Sequence, residues 1–401
     1  MKEEDKKKLI LDRATFRVIT KKELENSLDS NKTLRIKFGI DPTASQIHLG
    51  RASTIQRLRD FQDLGHKVVL IIGDFTAKVG DASDKDSERK VITENEIREN
   101  FKTYETQLKK ILDLSKVEYR YNSEWLEKFN FSSILDISKH FTVAQLIERE
   151  NFIDRYKNHK PIGLHEFLYP IMQGYDSVAI KSDVELGGSD QLFNILAGRE
   201  IQGYFNMKKQ VCLTKKLLSG TDGRKMSSSW GNVINITDQP NDIYGKVMSI
   251  RDSVIIEYFN IATRVSTEDI KNIEKDLNES TSSGIMDIKK VLAYEITALY
   301  STKKDAIKAE NNFKKTVQEK QVISDDLILV KVDKKKARII DLITSLTGQI
   351  PSKADARRLI KSGGVYIDNV RINDVNLEID MKSGMIVKVG KRNLVKIKTT
   401  F

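Results

Sequence analysis

TLRIKFGIDPTASQIHLGRASTIQRLRDFQDLGHKVVLIIGDFT, residues 33–76, decides the fold of this chain. Residues 33–41 predict a buried strand that ends at Asp41, because a proline keeps the residue before it out of the helical region. The apolar residues of 48–65 recur at helical spacing. Residues 67–76 are almost continuously apolar, which is typical of a parallel strand covered on both faces. Strand, helix and strand together predict a βαβ unit.

The alternation continues along the chain. Thr93 and Glu96 predict a capping box at the start of a helix. VEYRY (117–121) predicts a strand, residues 184–205 predict a strand, a glycine turn and a helix, and QVCLT (210–214) predicts the next strand. This pattern indicates an α/β protein with an open, Rossmann-like, doubly wound parallel sheet.

The chain changes character after this alternation. The pattern is helical and charged from about 240 to 320, and Ser352 is a candidate cap for a helix over 354–364. Two hairpins are expected over 365–372 and 385–397. The expected divisions are a Rossmann-like catalytic domain (1–235), a helical domain (236–322), a linker (323–336) and a small α+β module (337–401).

Composition limits the function. The net charge is +11, and residues 331–401 hold 16 Lys and Arg against 7 Asp and Glu. Such a basic end suggests a polyanionic partner, with a merely solubilising tail as the alternative. The single cysteine, Cys212, excludes a disulfide framework and a Cys-based zinc site within the chain. Neither a signal peptide nor an apolar run of membrane-spanning length is present, so we expect a soluble cytoplasmic protein.

Two strand ends carry candidate chemistry. Gly39 lets a ligand approach the first strand, and His48 and Gly50 open a helix whose free N–H groups attract anions. The loop GTDGRKMSSSWGN (220–232) offers glycines, cations and hydroxyl groups that could surround a triphosphate. The alternatives are a structural helix cap at His48 and an ordinary mobile surface loop.

The two segments together resemble the paired motifs of class I aminoacyl-tRNA synthetases. HLGR (48–51) corresponds to His-Ile-Gly-His, and KMSSS (225–229) to Lys-Met-Ser-Lys-Ser. Arg51 therefore replaces a histidine and Ser228 replaces a lysine. The chemistry implied is attack of an amino-acid carboxylate on the α-phosphorus of ATP, which requires positioning and charge stabilisation rather than proton transfer from these groups.

A third segment concerns the amino acid. In FLYPIMQGYDSVAI (167–180), Tyr169, Gln173 and Asp176 share one helix face, and a buried carboxylate there needs a hydrogen-bonding partner. The alternative is an exposed polar face, and Pro170 is unfavourable inside a helix. This segment and DVELGGSDQLFN (183–194) resemble the amino-acid pocket of bacterial tyrosyl-tRNA synthetases, and the resemblance covers essentially the whole chain.

The resemblance implies roles for individual residues. Those implied for tyrosine are Gly39, Asp81, Tyr169, Gln173, Asp176 and Gln191, with Asp176 accepting from the phenol hydroxyl. Those implied for ATP are Asp41, Thr43, His48, Gly50, Gly188, Asp190, Arg224, Lys225, Ser227 and Ser228. Those implied in catalysis are His48, Arg51, Lys225, Lys85 and Arg89. ATP is expected with Mg²⁺, and no metal-binding residue is expected. Lys37 replaces a tyrosine of many relatives and is expected to contact Asp176 or to leave the site.

The C-terminal residues 337–374 resemble an RNA-binding module first known in a small-subunit ribosomal protein. The resemblance implies that Arg357, Arg358 and Lys361 bind RNA phosphates. It also implies tRNA as a partner, a helical region near the anticodon, and a homodimer. Two other functions stay open: a small-molecule adenylyltransferase and an inactive RNA-binding relative. Tryptophan is the neighbouring specificity.

Overall fold

The computed structural model describes ten stretches of the chain. These are residues 3–30, 32–42, 46–80, 93–318, 328–333, 335–347, 350, 352–368, 370–390 and 393–400. The chain forms two compact units, Met1–Glu310 and Asn311–Phe401. The first unit contains all of the segment 1–235 and most of 236–322, so the boundary between those two stays a prediction.

The first unit is built on a six-stranded sheet. Its strands are β1 (Thr15–Ile19), β2 (Arg35–Ile40), β3 (Lys67–Ile72), β4 (Val117–Tyr121), β5 (Val184–Gly188) and β6 (Val211–Lys215). Their order is β1-β6-β5-β2-β3-β4. β1 is antiparallel to β6, and the other pairs are parallel. The chain winds from β2 toward β4 and then returns to β5 on the other side of β2. The predicted doubly wound α/β fold is therefore confirmed, with its switch point between β2 and β5.

Helices cover this sheet and continue beyond it. They are α1 (Glu3–Asp12), α2 (Lys21–Asp29), α3 (Leu49–Asp63), α4 (Thr76–Val79), α5 (Glu94–Leu108), α6 (Ser123–Leu126), α7 (Phe131–Ser138), α8 (Val143–Ile147), α9 (Glu150–Lys157), α10 (Leu164–Ala179), α11 (Leu192–Tyr204), α12 (Pro240–Met248), α13 (Ile255–Ala262), α14 (Thr267–Glu279), α15 (Ser282–Tyr300) and α16 (Lys303–Phe313). Short 3-10 helices cover Leu114–Lys116, Ser189–Gln191, Ser228–Trp230 and Asp252–Val254, and a π-helix covers Lys314–Gln318.

The predicted helix starts are confirmed. At α5, the Glu96 amide donates to Thr93 Oγ1 over 3.3 Å and the Thr93 amide donates to Glu96 Oε2 over 2.7 Å. These two bonds satisfy donors that the first turn of a helix leaves free. α10 runs through Pro170, so the proline does not end that helix.

The second unit is a small α+β module. Its strands are β7 (Ile328–Val332), β8 (Lys336–Arg338), β9 (Val365–Ile367), β10 (Val370–Arg371), β11 (Glu378–Asp380), β12 (Ile386–Val389) and β13 (Asn393–Thr399), and its helices are α17 (Ile339–Thr347) and α18 (Lys353–Lys361). The larger sheet has the order β10-β9-β12-β13-β7, and β11 pairs with β8. Both predicted hairpins are present, and Ser352 Oγ caps α18 by accepting from the Asp355 amide.

The prediction of a linker over 323–336 is wrong for six of its residues, because five form β7 and Lys336 begins β8. β7 (Ile328–Val332) pairs in parallel with β13, from Val395 to Thr399. Val330 and Val332 pack on the module's core, which includes Ile343, Ile360 and Val387. The strand was not predicted because it is short and charged residues lie on either side of it.

Arg13 joins the start of the chain to the end of α13. Its guanidinium group donates to four backbone carbonyls, those of Phe259, Asn260, Thr263 and Val265, over 2.6–3.0 Å. The last carbonyls of a helix have no partner within the helix, and a cation is favourable at that end. Arg13 therefore holds the N-terminal segment against the helices that follow the sheet.

We expect Arg13→Met to lower the free energy of unfolding by roughly 3 kcal/mol, because buried carbonyls would lose hydrogen bonds to a charged donor. Urea-induced unfolding followed by circular dichroism measures the change. Arg17→Met, at an exposed position of β1, is the control and should change stability by less than about 0.5 kcal/mol. Equal effects of the two substitutions would contradict a structural role for Arg13.

Candidate active site

A cavity of 590 Å³ opens at the carboxyl ends of the parallel strands. It lies at the ends of β2 and β5, beside the switch point, where doubly wound sheets bind ligands. The predicted site residues that line it are Gly39, Asp41, His48, Gly50, Arg51, Tyr169, Gln173, Asp176, Gly188, Asp190, Gln191, Lys225, Ser227 and Ser228. Three segments distant in sequence therefore meet around one space large enough for a small-molecule substrate.

Four predicted site residues cannot be placed. Thr43, Asp81, Lys85 and Arg89 lie outside the described residues. Their roles stay predictions.

His48 is the N-cap of α3. Its Nδ1 accepts from the Arg51 amide over 3.4 Å, and its backbone forms a bridge with Asn235. A Cβ on Gly50 would lie 3.2 Å from the imidazole ring, a tight contact that would press on the ring. Arg51 donates from Nη1 to the hydroxyl of Tyr104 and also lines the cavity. His48 is therefore both a structural helix cap and a residue that lines the cavity, so the two interpretations do not exclude each other.

The loop over 220–232 is held in one shape by Asn232. Its Nδ2 donates to Asp222 Oδ1 and to the Lys225 carbonyl, and its Oδ1 accepts from the Ser227 amide. A Cβ on Gly220 would collide with Asn232. This packing explains the glycine at 220, and Ser227, Ser228 and Ser229 of the loop line the cavity.

The two adjacent cations of the loop point to different places. Lys225 lines the cavity and its Nζ lies 3.1 Å from Asp190 Oδ2. Arg224 does not line the cavity: it pairs with Asp222 over 2.5 Å and lies on the Trp230 ring at 4.6 Å. The structure therefore brings Lys225 to the predicted ATP site and leaves Arg224 outside the cavity.

Asp41 holds the hydroxyl of Tyr169. Tyr169 Oη donates to Asp41 Oδ2 and Thr76 Oγ1 donates to Asp41 Oδ1, each over 2.8 Å. A Cβ at Gly73 would collide with Asp41, which explains the glycine after β3. Because the hydroxyl proton goes to Asp41, the Tyr169 oxygen is left as an acceptor.

Asp176 lies at a closed part of the cavity and is only 3% exposed. Trp125 Nε1 donates to its Oδ1 over 2.8 Å, and Asn122 also hydrogen-bonds to it. Burial raises the pKa of the Asp176 carboxyl to about 7, and the positive charge of Lys37 opposes the rise. A carboxylate desolvated in this way is suited to a hydroxyl donor from a substrate.

Two partners of Asp176, Asn122 and Trp125, were not among the residues predicted from the sequence. Asn122 directly follows β4, so the rule that ligands meet strand ends could have identified it. Trp125, on α6, carries no such signal, because a tryptophan near the end of a strand is most simply a core residue.

Of the two positions expected for Lys37, the structure shows the second, because its side chain is absent from the lining of the cavity. It is fully buried and pairs with Glu185 over 2.9 Å, beneath the cavity, instead of contacting Asp176. Glu185 was not singled out from the sequence. A lysine and a glutamate inside two buried strands could have predicted the pair, since buried charges need partners.

The C-terminal unit holds a second group of candidate residues. Arg357, Arg358 and Lys361 are exposed on α18, and Arg358 Nη2 also lies 3.1 Å from Asp355 Oδ1. Their spacing places Lys361 beside both arginines on the helix surface. This arrangement suits contacts with phosphate groups.

The described part of the chain contains neither a membrane-spanning helix nor a metal-binding cluster. None of its helices combines the length and the apolar character needed to cross a membrane. No cluster of three or more His, Cys, Asp or Glu side chains there could hold a metal ion.

Comparisons with known proteins agree with this geometry. Residues 29–318 match the family model for class I tRNA synthetases (W and Y), and residues 318–396 match that of the tyrosine–tRNA ligase SYY-like C-terminal domain. A tyrosine–tRNA ligase of Thermotoga maritima is 44% identical over 389 residues, 97% of this chain and 96% of the relative. Tyrosine–tRNA ligase 2 of Clostridium acetobutylicum is 42% identical over 402 residues, 99% of each chain.

A solved structure shows the same fold. The tyrosyl-tRNA synthetase of Archaeoglobus fulgidus, complexed with L-tyrosine, superimposes with a TM-score of 0.61 at 24% identity, over 77% of this chain and all of that one. Since the matches span nearly the full length and the two matched models adjoin, the chain belongs to the tyrosine–tRNA ligase family of class I aminoacyl-tRNA synthetases.

Proposed function

We propose that the cavity at the ends of β2 and β5 binds tyrosine and ATP side by side and forms tyrosyl-adenylate. The observation that carries this assignment is that Asp176, His48 and Lys225 line one cavity of 590 Å³. Tyrosine–tRNA ligase activity follows from the family, and we propose in addition the roles of single residues in it.

Tyrosine occupies the end of the cavity formed by α10. Its phenol hydroxyl donates to Asp176, and its ammonium group is held by the oxygens of Tyr169 and Gln173. Asp81 is a third partner for the ammonium group. A Cβ on Gly39 would have no protein atom within 4 Å, so the missing side chain leaves open space for the substrate. Gln191 lies near the substrate carboxylate.

ATP occupies the end formed by α3 and the loop over 220–232. His48, Gly50 and the free amides of α3 face its phosphates, and Asp190 faces the ribose. Lys225, Ser227 and Ser228 contact phosphate oxygens, with Thr43, Lys85, Arg89 and, after a change of side-chain direction, Arg224 as further partners. Mg²⁺ enters with ATP as its counter-ion.

The chemistry requires no covalent bond to the protein. A tyrosine carboxylate oxygen attacks the α-phosphorus, the bond to the bridging oxygen of the β-phosphate breaks, and pyrophosphate leaves with the bonding electrons. A hydroxyl of the terminal tRNA adenosine then attacks the tyrosyl carbonyl and AMP leaves. Lys225 and Arg51 oppose the negative charge on the phosphates, and the pocket holds the reacting atoms together. Because tRNA is a substrate, we propose that the protein acts in the cytoplasm together with its tRNA.

We expect Asp176→Asn to lower kcat/KM for tyrosine roughly 10- to 100-fold, because a hydrogen bond from the phenol to a charged acceptor is lost. The value for phenylalanine, which has no hydroxyl, should change less than about threefold. Amino-acid-dependent exchange of labelled pyrophosphate into ATP measures both.

Asp74→Asn is the control, because Asp74 follows β3 but pairs with Ser123 instead of lining the cavity. Equal losses with tyrosine and phenylalanine would remove Asp176 from hydroxyl recognition. Exchange supported by tryptophan instead of tyrosine would change the specificity assigned to the site. Absence of exchange with every amino acid would favour an inactive RNA-binding relative.

We assign tRNA binding outside the acceptor end to the second unit. A chain ending at Gln318 removes β7 together with its partner β13 and leaves α16 whole. Pyrophosphate exchange by this shorter chain should stay within about twofold of the full chain, while tRNA charging should fall at least roughly 100-fold, as expected from the loss of several phosphate contacts. Unchanged charging would contradict the assignment.

Reversal of charge at Arg357, Arg358 and Lys361 is the finer test. The matched control reverses Lys22, Lys102 and Lys109, which are exposed lysines of the first unit. Only the reversal on α18 should lower charging and flatten its dependence on salt. Equal losses in both variants would show an effect of net charge alone.

We propose that two copies of the chain associate through α7–α10. Within 34 residues these helices expose five large apolar side chains, Phe131, Leu135, Val143, Tyr156 and Leu164, from 48% at Leu135 to 78% at Leu164. Apolar surface concentrated in this way is typical of an interface between subunits.

The double substitution Phe131→Asp with Leu164→Asp should convert a dimer into a monomer, because two charges would be buried at the interface. Sedimentation velocity measures the mass. The control, Val291→Asp with Ile307→Asp, changes two apolar side chains on α15 and α16 that are 49% and 50% exposed, and it should leave the dimer intact. A monomeric unaltered chain, or dissociation of both variants, would contradict this interface.

A further inference from the structure

An ion pair lies directly beneath the cavity. Lys37 on β2 and Glu185 on β5 are register partners in the parallel sheet, and their side chains are 0% and 1% exposed. Replacing such a buried pair by apolar residues is often neutral or stabilising, so stability alone does not explain it. The contacts that surround the pair point to the substrate site.

Four polar groups surround the carboxylate of Glu185. Oε1 lies 2.9 Å from Lys37 Nζ in the ion pair and accepts from Gln173 Nε2 over 3.2 Å. Oε2 accepts from Ser177 Oγ and from Gln210 Nε2, at 3.0 and 2.5 Å. Because an ionised carboxylate only accepts, Gln173 must turn its NH₂ group toward Glu185. The amide oxygen is then the group that Gln173 offers to the cavity.

The ammonium group of Lys37 also contacts two residues of α10. Besides Glu185, it donates to the Gln173 carbonyl over 2.7 Å and to Ser177 Oγ over 2.8 Å. Backbone and side chain of Gln173 are thus held from below by one charged pair. The third polar residue of the same helix face, Asp176, lies one turn further along α10.

We propose that Lys37 and Glu185 are positioning residues that determine recognition of the substrate's ammonium group, by holding the Gln173 amide with its oxygen toward the cavity. This inference rests on the tyrosine site proposed above. Without Glu185 the amide can rotate and present NH₂ to the ammonium group, and two donors repel. The pair therefore sets the polarity of one wall of the amino-acid pocket without touching the substrate.

The test removes both charges at nearly constant volume, in the full chain. Glu185→Gln alone would leave Lys37 buried without a counter-charge, so Lys37→Met is combined with it. Dissociation constants are measured by calorimetry for tyrosine, for tyramine, which keeps the ammonium group but lacks the carboxylate, and for 3-(4-hydroxyphenyl)propanoate, which lacks the ammonium group.

Tyrosine and tyramine should each bind about tenfold more weakly to the double variant, the loss expected for one hydrogen bond to a charged group. The propanoate should change less than about twofold. A purely structural role, or a change at Asp176, would weaken all three ligands alike, and that result would overturn the proposal. If the first variant does not fold, as judged by circular dichroism, Lys37→Met with Glu185→Met carries the same comparison with the same expected results.

Gln173→Ala separates this inference from the proposed site. It should reproduce the ammonium-specific loss. If it does so while the double variant does not, the positioning role is wrong and the site stands. If Gln173→Ala weakens none of the three ligands, the tyrosine site itself is misplaced and the positioning role falls with it.

Discussion

The buried pair of Lys37 and Glu185 is the constraint on which the substrate end of this structure depends. It joins β2 to β5 at the point where the winding of the sheet reverses, which is also where the cavity opens. A shift of either strand by one residue would turn its charge to the other face and leave two buried ions without partners, at a cost of several kcal/mol each. The register of the two strands and the position of α10 above them are thus determined together.

The proposed specificity for a hydroxyl-bearing substrate depends on desolvation of Asp176 as well as on direct contacts. Asp176 accepts from Trp125 and Asn122, in surroundings that raise its pKa to about 7. A ligand that supplies a hydroxyl donor relieves that desolvation, and one that does not leaves the carboxyl buried and under-solvated. The charge of Lys37, held nearby by Glu185, limits how far the carboxyl drifts toward its neutral form.

Local patterns in the sequence predicted local structure well. The βαβ unit of 33–76, the cap at His48, the capping box of Thr93 and the cap at Ser352 all depend on neighbouring residues, and all are present. The strands that were not predicted depend on partners distant in sequence. β1 joins the sheet edge through β6, almost two hundred residues away, and β7 finds its partner in β13.

The site shows the same division. The family resemblance implied that three segments meet in one site. Strand-end and helix-face rules placed their residues at strand ends and on one helix face, because periodicity determines which side chains share a face. The same rules could not say that Lys37 turns down to Glu185 while Asp176 faces the space, since both are charged residues in apolar runs. They also could not separate Arg224 from Lys225, because a turn closed by Asp222 and Asn232 directs the two side chains to different places.

At the proposed ATP end, Lys225 pairs with Asp190, and the two side chains are 31% and 19% exposed. Such partly exposed pairs contribute on the order of 1 kcal/mol or less, so a triphosphate with several charged oxygens displaces Asp190 at little cost. The cation to which we assign a role in the reaction is therefore held beside the cavity by an ion pair weak enough to exchange.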